Sequence, residues 1–357
     1  MSYPRIGRDA RNAAAGAGHA VGMVRLAPLD IAPCPIPLLP AGTIAHSSRA
    51  VAAGGLLRIR PGVLVDAAAW EELAPWDRYL ARVHAAALIH PDAVFAMESA
   101  AALLGLPVFG DPRVVHVLAL AGGTSRMSAG IRIHTGRNDR PVIERDGILL
   151  TEAGDTVVDL ARLRHPAVGL SVADAAARAD ATVTSATLLE CNASRASSRG
   201  RAHARWALER ASAEPESVLE SVSRAVFEWL GMPEPHLQVS FGAEGEKTDR
   251  PDFTWRLADG RLVCADADGD LKYDGRYGEP VEILRRQSAR DARLRERVDA
   301  IAHFGWSDVL SVAPLRGILR SLGLKPEAPE HSALLLTLRR ALSSPRETAS
   351  AGRNSGP

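Results

Sequence analysis

The chain has few cysteines. Cys34, Cys191 and Cys264 are the only three, and no two form a Cys-x-x-Cys pair. So sparse and odd a set excludes a disulfide framework and a cysteine zinc site. No apolar run reaches the roughly 18 residues of a membrane-spanning helix. Formal net charge is only +1, which excludes a protein that coats nucleic acid through bulk basicity; any such contact has to come from local patches. Arg5, Arg8 and Arg11 open the chain with no apolar segment behind them, which predicts no signal peptide and a cytoplasmic location.

Against these absences, 46% of the 357 residues are hydrophobic, enough for the cores of two or three domains. Residues 1–40 read as a disordered segment running into a proline-rich linker, "LAPLDIAPCPIPLLP". Residues 41–107 change character. "AHSSRAVAAGG" predicts a short helix, and "LLRIRPGVLV" predicts strand, Pro61-Gly62 turn, strand. Helix followed by tight hairpin is the skeleton of a winged helix, and equally of any small α+β unit. Arg49, Arg58 and Arg60 suit DNA phosphates there, or a plain solvated face. Helices are expected over 75–90 and 93–107.

Residues 108–213 predict a mixed strand and helix region. Strand-like runs cover 114–120, 131–135 and 147–151, and four short helices cover 154–211. His116 and His134 alternate with apolar residues, and no third ligand lies at useful spacing, so the spacing argues against a metal there. Helices are expected again over 313–342, and a disordered tail over 343–357.

Residues 214–312 carry the chemistry. The predicted order is helix "EPESVLESVSRAVFEWLG", strands "HLQVSFG", "PDFTWRL" and "RLVCADAD", helix 280–297, and a last strand 298–304. That is α-β-β-β-α-β. The turn Ala258-Asp259-Gly260 decides how the second and third strands pair. A two-residue Asp-Gly turn would set Asp252 and Asp266 on opposite faces. A three-residue loop with left-handed Gly260 pairs them directly, and alternation adds Asp268 to the same face. Carboxylates this close repel unless a cation neutralises them, and Mg²⁺ suits a small set of carboxylate oxygens.

Arg286, Arg290, Arg293 and Arg297 recur at i, i+4, i+7, i+11 on the following helix. They form one stripe able to track a phosphate backbone, or an ordinary solvated face.

Glu220-Ser221, Asp252-Phe253, Asp266-Ala267-Asp268-Gly269 and Lys272-Tyr273 together resemble the PD-(D/E)XK restriction-endonuclease-like fold. The likeness is to the branch related to very-short-patch repair endonucleases, as in actinobacterial proteins. "GMPEPHLQV" resembles that branch's G-x-P-x-P-x-x-Q turn. The resemblance implies Mg²⁺ (or Mn²⁺) held by Asp252, Asp266 and the Ala267 carbonyl. It implies Glu220 binding a second ion or orienting water, and Lys272 stabilising charge at the phosphate. Asp266 stands where the family has Glu, Asp268 where the wider fold has Lys, and Gln287 where related chains have an acid.

"GLLRIRPGVLV", "ESAAALLGLP" and "GILLTEAGDTVVDLAR" resemble proteins with an AbiEi-type antitoxin winged helix. The expected fold class is therefore α+β multidomain: a winged-helix-like N-terminal module, a mixed α/β middle region and a C-terminal αβββαβ endonuclease-like domain. The expected function is DNA-directed and outside the membrane. One form is an Mg²⁺-dependent endonuclease. Another is a catalytically inactive DNA-binding regulator or antitoxin of a type IV toxin–antitoxin system, partnered by a nucleotidyltransferase-like toxin. A third is a scaffold without DNA contact.

Overall fold

The computed structural model describes residues 30–119, 124–135, 140–242, 248–268 and 280–343, without the side chains of 280–284. Lys272, Tyr273 and Gly269 lie outside the described residues, as do the expected disordered ends 1–29 and 344–357. The described chain is mixed α and β, with three sheets. None of its helices is long and apolar enough to cross a membrane.

The first sheet has three strands. β1 (Leu39–Pro40) lies at the end of the proline-rich stretch, where a linker was expected, and pairs with β3 (Val63–Asp66). α1 (Ser47–Ala52) follows β1, and β2 (Leu56–Arg60) pairs antiparallel with β3. Gly62 takes φ +81° in the turn between them, a conformation open to glycine at no steric cost. Asp66 caps α2 (Ala67–Glu72), accepting the Ala69 N–H at 2.8 Å. α3 (Pro75–Ile89) follows, with its proline in the first turn.

The helix expected over 93–107 divides. β4 (Val94–Phe95) is a strand, and α4 (Met97–Leu103) starts only after it. Together, β5 (Val115–Ala119), β6 (Arg126–Ser128), β7 (Ile131–Thr135), β8 (Val142–Arg145) and β9 (Ile148–Thr151) join β4 in a six-stranded sheet of order β6-β7-β5-β4-β9-β8. Because β4 sits at its centre, this sheet crosses the boundary expected near residue 107. Four helices then follow as the sequence predicts: α5 (Ala153–Leu163), α6 (Pro166–Ala179), α7 (Ser185–Ser194) and α8 (Arg201–Glu209).

α9 (Val218–Trp229) opens the last unit. Ser217 caps it, accepting the Glu220 N–H at 3.2 Å. Gly231, at φ +70°, stops it. A Cβ added there would collide with the Ala328 carbonyl, and Glu327 N–H donates to Gly231 O at 2.7 Å. β10 (His236–Leu237), β11 (Phe253–Arg256), β12 (Leu262–Ala267), α10 (Pro280–Leu294) and β13 (Ala300–Phe304) complete the expected α-β-β-β-α-β order. The sheet runs β10-β11-β12-β13, with β13 parallel to β12 and the other pairs antiparallel. The first strand is shorter than "HLQVSFG" suggests: it ends at Leu237, ahead of Gln238, whose φ is +52°, and one bridge, Phe241 to Asp249, resumes the pairing. α11 (Trp306–Ser311), α12 (Ala313–Ser321) and α13 (Ser332–Leu342) finish the described chain.

One apolar core runs from Tyr79, Phe95 and Leu150 through Leu160, Leu170 and Val222 to Phe253, Trp255, Phe304 and Leu338. A second small cluster joins Ile36, Val65, Trp70 and Ala81. Phe227 of α9 meets Phe253 at 5.0 Å and Trp255 at 5.5 Å between centroids, both edge-on. Each such buried side chain contributes about 1.5–3 kcal/mol. That contact fixes which face of the four-stranded sheet turns to α9. Alternation then sends Asp266 and Asp268 to the other face, toward α10.

Candidate functional site

The hairpin loop is the three-residue one. Leu257 N–H donates to Arg261 O at 2.8 Å, Gly260 has φ +90°, and Phe253 pairs with Ala265. Asp252 and Asp266 therefore meet at the mouth of the hairpin. Asp252 N–H donates to Asp266 Oδ1 at 3.1 Å, and Ala267 N–H donates to Asp252 Oδ2 at 2.8 Å.

Glu220, buried on α9, faces this pair. Its Oε2 accepts from Gln238 Nε2 and from the Glu216 N–H, both at 2.9 Å. Gln238 closes the "GMPEPHLQV" turn, so that turn serves to hold Glu220. Burial pushes the Asp252 carboxyl up to about 7, and the Glu220 and Asp266 charges push the same way. The Arg290 charge pulls it the other way, more weakly.

On the α10 side the acids carry their own cations. Arg290 forks onto Asp266, with Nη2 3.1 Å from Oδ1 and Nη1 on Oδ2, and Nη2 also reaches Arg250 O at 2.7 Å. Asp268 does not turn to Asp252. Its Oδ2 accepts from Gln287 Nε2 and from His303 Nδ1, both at 2.8 Å. His303 stands beside Asp266 on β13 and places Nε2 3.0 Å from Asp291 Oδ2. Hydrogen bonds to Asp268 and then Asp291 raise the imidazole to about 9 against the pull of burial. Among the described residues, the one group of three metal-type donors lying within 4.8 Å of one another is Asp266, Asp291 and His303.

The arginine stripe is divided. Arg290 serves Asp266, and Arg293 is forked onto Asp249 at 2.6 and 2.7 Å. Arg286 and Arg297 are exposed. On the first sheet, Arg49 and Arg58 are exposed, whereas Arg60 turns inward. Its guanidinium donates to the carbonyls of Arg82, Ala129 and Gly130 at 3.2, 3.3 and 3.4 Å, so its outward phosphate-binding role is replaced by a structural one.

His116 and His134 do meet: His116 Nδ1 lies 2.8 Å from His134 Nε2, and buried Glu98 comes within 3.6 Å of His116. Glu98 is held by Arg164, and burial presses His116 down to about 4. Sequence spacing missed Glu98 because α4 brings it from a different element.

Sequence reasoning also missed Asp291 and His303. Asp291 follows Gln287 by one helical turn, the only local sign of a shared face. His303 needs the parallel β12–β13 register, which no short-range pattern specifies. No family model, curated protein or solved structure matches the chain.

Proposed function

We propose that the C-terminal unit is a divalent-cation-dependent phosphodiesterase acting on DNA, built on the endonuclease-like αβββαβ plan. The observation that carries this reading is the register of β11 on β12. It sets Asp252 and Asp266 side by side, cross-linked through backbone N–H groups at 3.1 and 2.8 Å, with Glu220 facing them. Two hard carboxylate oxygens and the neighbouring Ala267 carbonyl fit Mg²⁺ or Mn²⁺, which take oxygen donors and keep several waters. When bound, that ion would activate water and offset charge at the attacked phosphate. Glu220, steadied by Gln238, would orient the water. Exposed Arg49, Arg58, Arg286 and Arg297 would meet the nucleic-acid backbone.

The test is plasmid cleavage by the full chain with Mg²⁺ or Mn²⁺, wild type against Asp252→Asn. Cleavage that needs the metal and falls at least 100-fold in the variant supports hydrolysis. Metal-dependent cutting that Asp252→Asn leaves intact removes Asp252 from the site and the proposal with it.

A specific observation favours a second reading. Arg290 and His303 already neutralise Asp266 and Asp268, as a site that has exchanged metal for internal cations would. The chain would then be an inactive DNA-binding regulator or antitoxin on the winged-helix-plus-nuclease plan, with a nucleotidyltransferase-like toxin as partner. It would bind DNA in a salt-sensitive way, without cutting, and lose binding on Arg49→Ala with Arg58→Ala.

A further inference from the structure

The geometry points to a separate transition-metal site on the α10 face of the sheet, formed by Asp266, Asp291 and His303 with Asp268 behind the histidine. It shares only Asp266 with the Asp252–Ala267 set and does not depend on phosphodiester hydrolysis.

His303 is oriented as metal-bound histidines are. Asp268 Oδ2 lies 2.8 Å from Nδ1, so Nδ1 donates to that carboxylate; Nε2, which donates to Asp291 in the imidazolium, would give up that proton and turn its lone pair to the ion. Such a carboxylate behind a histidine fixes its tautomer and raises its basicity as a ligand. Nε2 and Asp291 Oδ2 are 3.0 Å apart. Two donors each about 2.1 Å from one tetrahedral ion lie about 3.4 Å apart, so the pair needs to open by only a few tenths of an ångström to seat it. Asp266 supplies the third donor within 4.8 Å. Its carboxylate has about four lone-pair directions; the Asp252 N–H and the two arms of the Arg290 fork take three of them, leaving one, on Oδ2, for an ion.

Asp291 supplies the independent sign. It is 7% exposed, its carboxylate faces His303, and Oδ1 has no hydrogen-bond partner among the described residues. Arg295, itself largely exposed, comes only within 3.6 Å of the other oxygen. A buried carboxylate oxygen without a partner is costly, and a cation held by both oxygens of Asp291 would satisfy it.

The donor set selects the ion. One imidazole nitrogen with two carboxylates favours a first-row transition dication such as Zn²⁺ over Mg²⁺ or Ca²⁺. The stripe of arginines on α10 gives no second histidine or cysteine, so moderate affinity is expected rather than that of a structural zinc site.

The test is Co²⁺ titration of the chelator-treated full chain, followed by visible absorption, with Zn²⁺ added to displace it. We expect one tightly held Co²⁺ per chain that Zn²⁺ displaces and excess Mg²⁺ does not, any weaker Co²⁺ at the Asp252 set being competed away by Mg²⁺. His303→Gln and Asp291→Asn should each weaken binding at least tenfold, and Asp268→Asn about 10–100-fold. Asp252→Asn should leave it within about threefold, which separates this site from the cation of the hydrolytic reading. Nitrogen-15 NMR of the wild-type imidazoles needs no variant: the His303 Nε2 signal should move on Zn²⁺ addition while Nδ1 stays protonated. Absence of stoichiometric Co²⁺ uptake, equal affinity in His303→Gln, or an unmoved Nε2 signal would each overturn the assignment. His303 would then be only a cation bridging Asp268 and Asp291.

Discussion

At the scale of single residues, burial decides more than charge count. His116 illustrates it. The ring is buried against Glu98, Arg164 and His134, and burial outweighs the Glu98 attraction, so the imidazole stays neutral down to about 4. Its folded value lies below its unfolded one, so the folded state holds fewer protons between about 4 and 6.5. Stability is therefore complete above about 6.5 and falls as pH drops toward 4, by at most about 3 kcal/mol. Urea midpoints measured across that range should decline, and His116→Gln should flatten the decline. An unchanged slope would show that another group carries it. Nothing in "VVHVLAL" discloses this, since alternation makes His116 look like any half-buried strand residue.

At the scale of elements, the hairpin was legible and the helix beside it was only half so. Asp259-Gly260 allows two registers. What selects the three-residue loop is the need of Phe253, Trp255 and Val263 to reach one core, which alternation in the sequence already implies. For α10 the stripe at i, i+4, i+7, i+11 was equally plain, but its destination was not. Two of its arginines turn to Asp266 and Asp249, and such pairing across elements depends on how the helix packs.

That pairing has a measurable sign. Arg290→Gln leaves buried Asp266 without its fork. The arginine side chain is 27% exposed, so the loss is discounted to about 1–3 kcal/mol. The same change removes a competitor for the carboxylate, so Mg²⁺ should bind more tightly by calorimetry. A variant of lower stability with unaltered Mg²⁺ affinity would show that Arg290 and a cation do not compete.

At the scale of the whole molecule, the sequence divides more sharply than the structure. Composition and resemblance suggested boundaries near 107 and 213, yet the core passes both. β4 belongs to the sheet that follows it, because Val94 and Phe95 are apolar on both faces and lie in its middle. The second boundary is bridged by contacts that no local pattern announces. Trp229 of α9 lies 5.2 Å from Trp206 and 5.3 Å from His165, and Arg224 pairs with Asp174 at 3.0 Å.

Residues 214–343 expressed alone should therefore lack fixed packing, with weak near-ultraviolet dichroism and dye binding to the uncovered α9 face. Residues 30–343 should unfold the larger core in one transition. A rigid, dye-silent 214–343 piece would sink the idea of one shared core.

The inward turn of Arg60 has a consequence for any ligand of the first sheet. Its guanidinium bolts β2 to α3 through Arg82 and to the 129–130 turn ahead of β7. The hairpin is thus no swinging arm. Whatever it grips is presented to the rest of the protein at a constant offset, as a workpiece clamped in a jig meets the drill at one bearing.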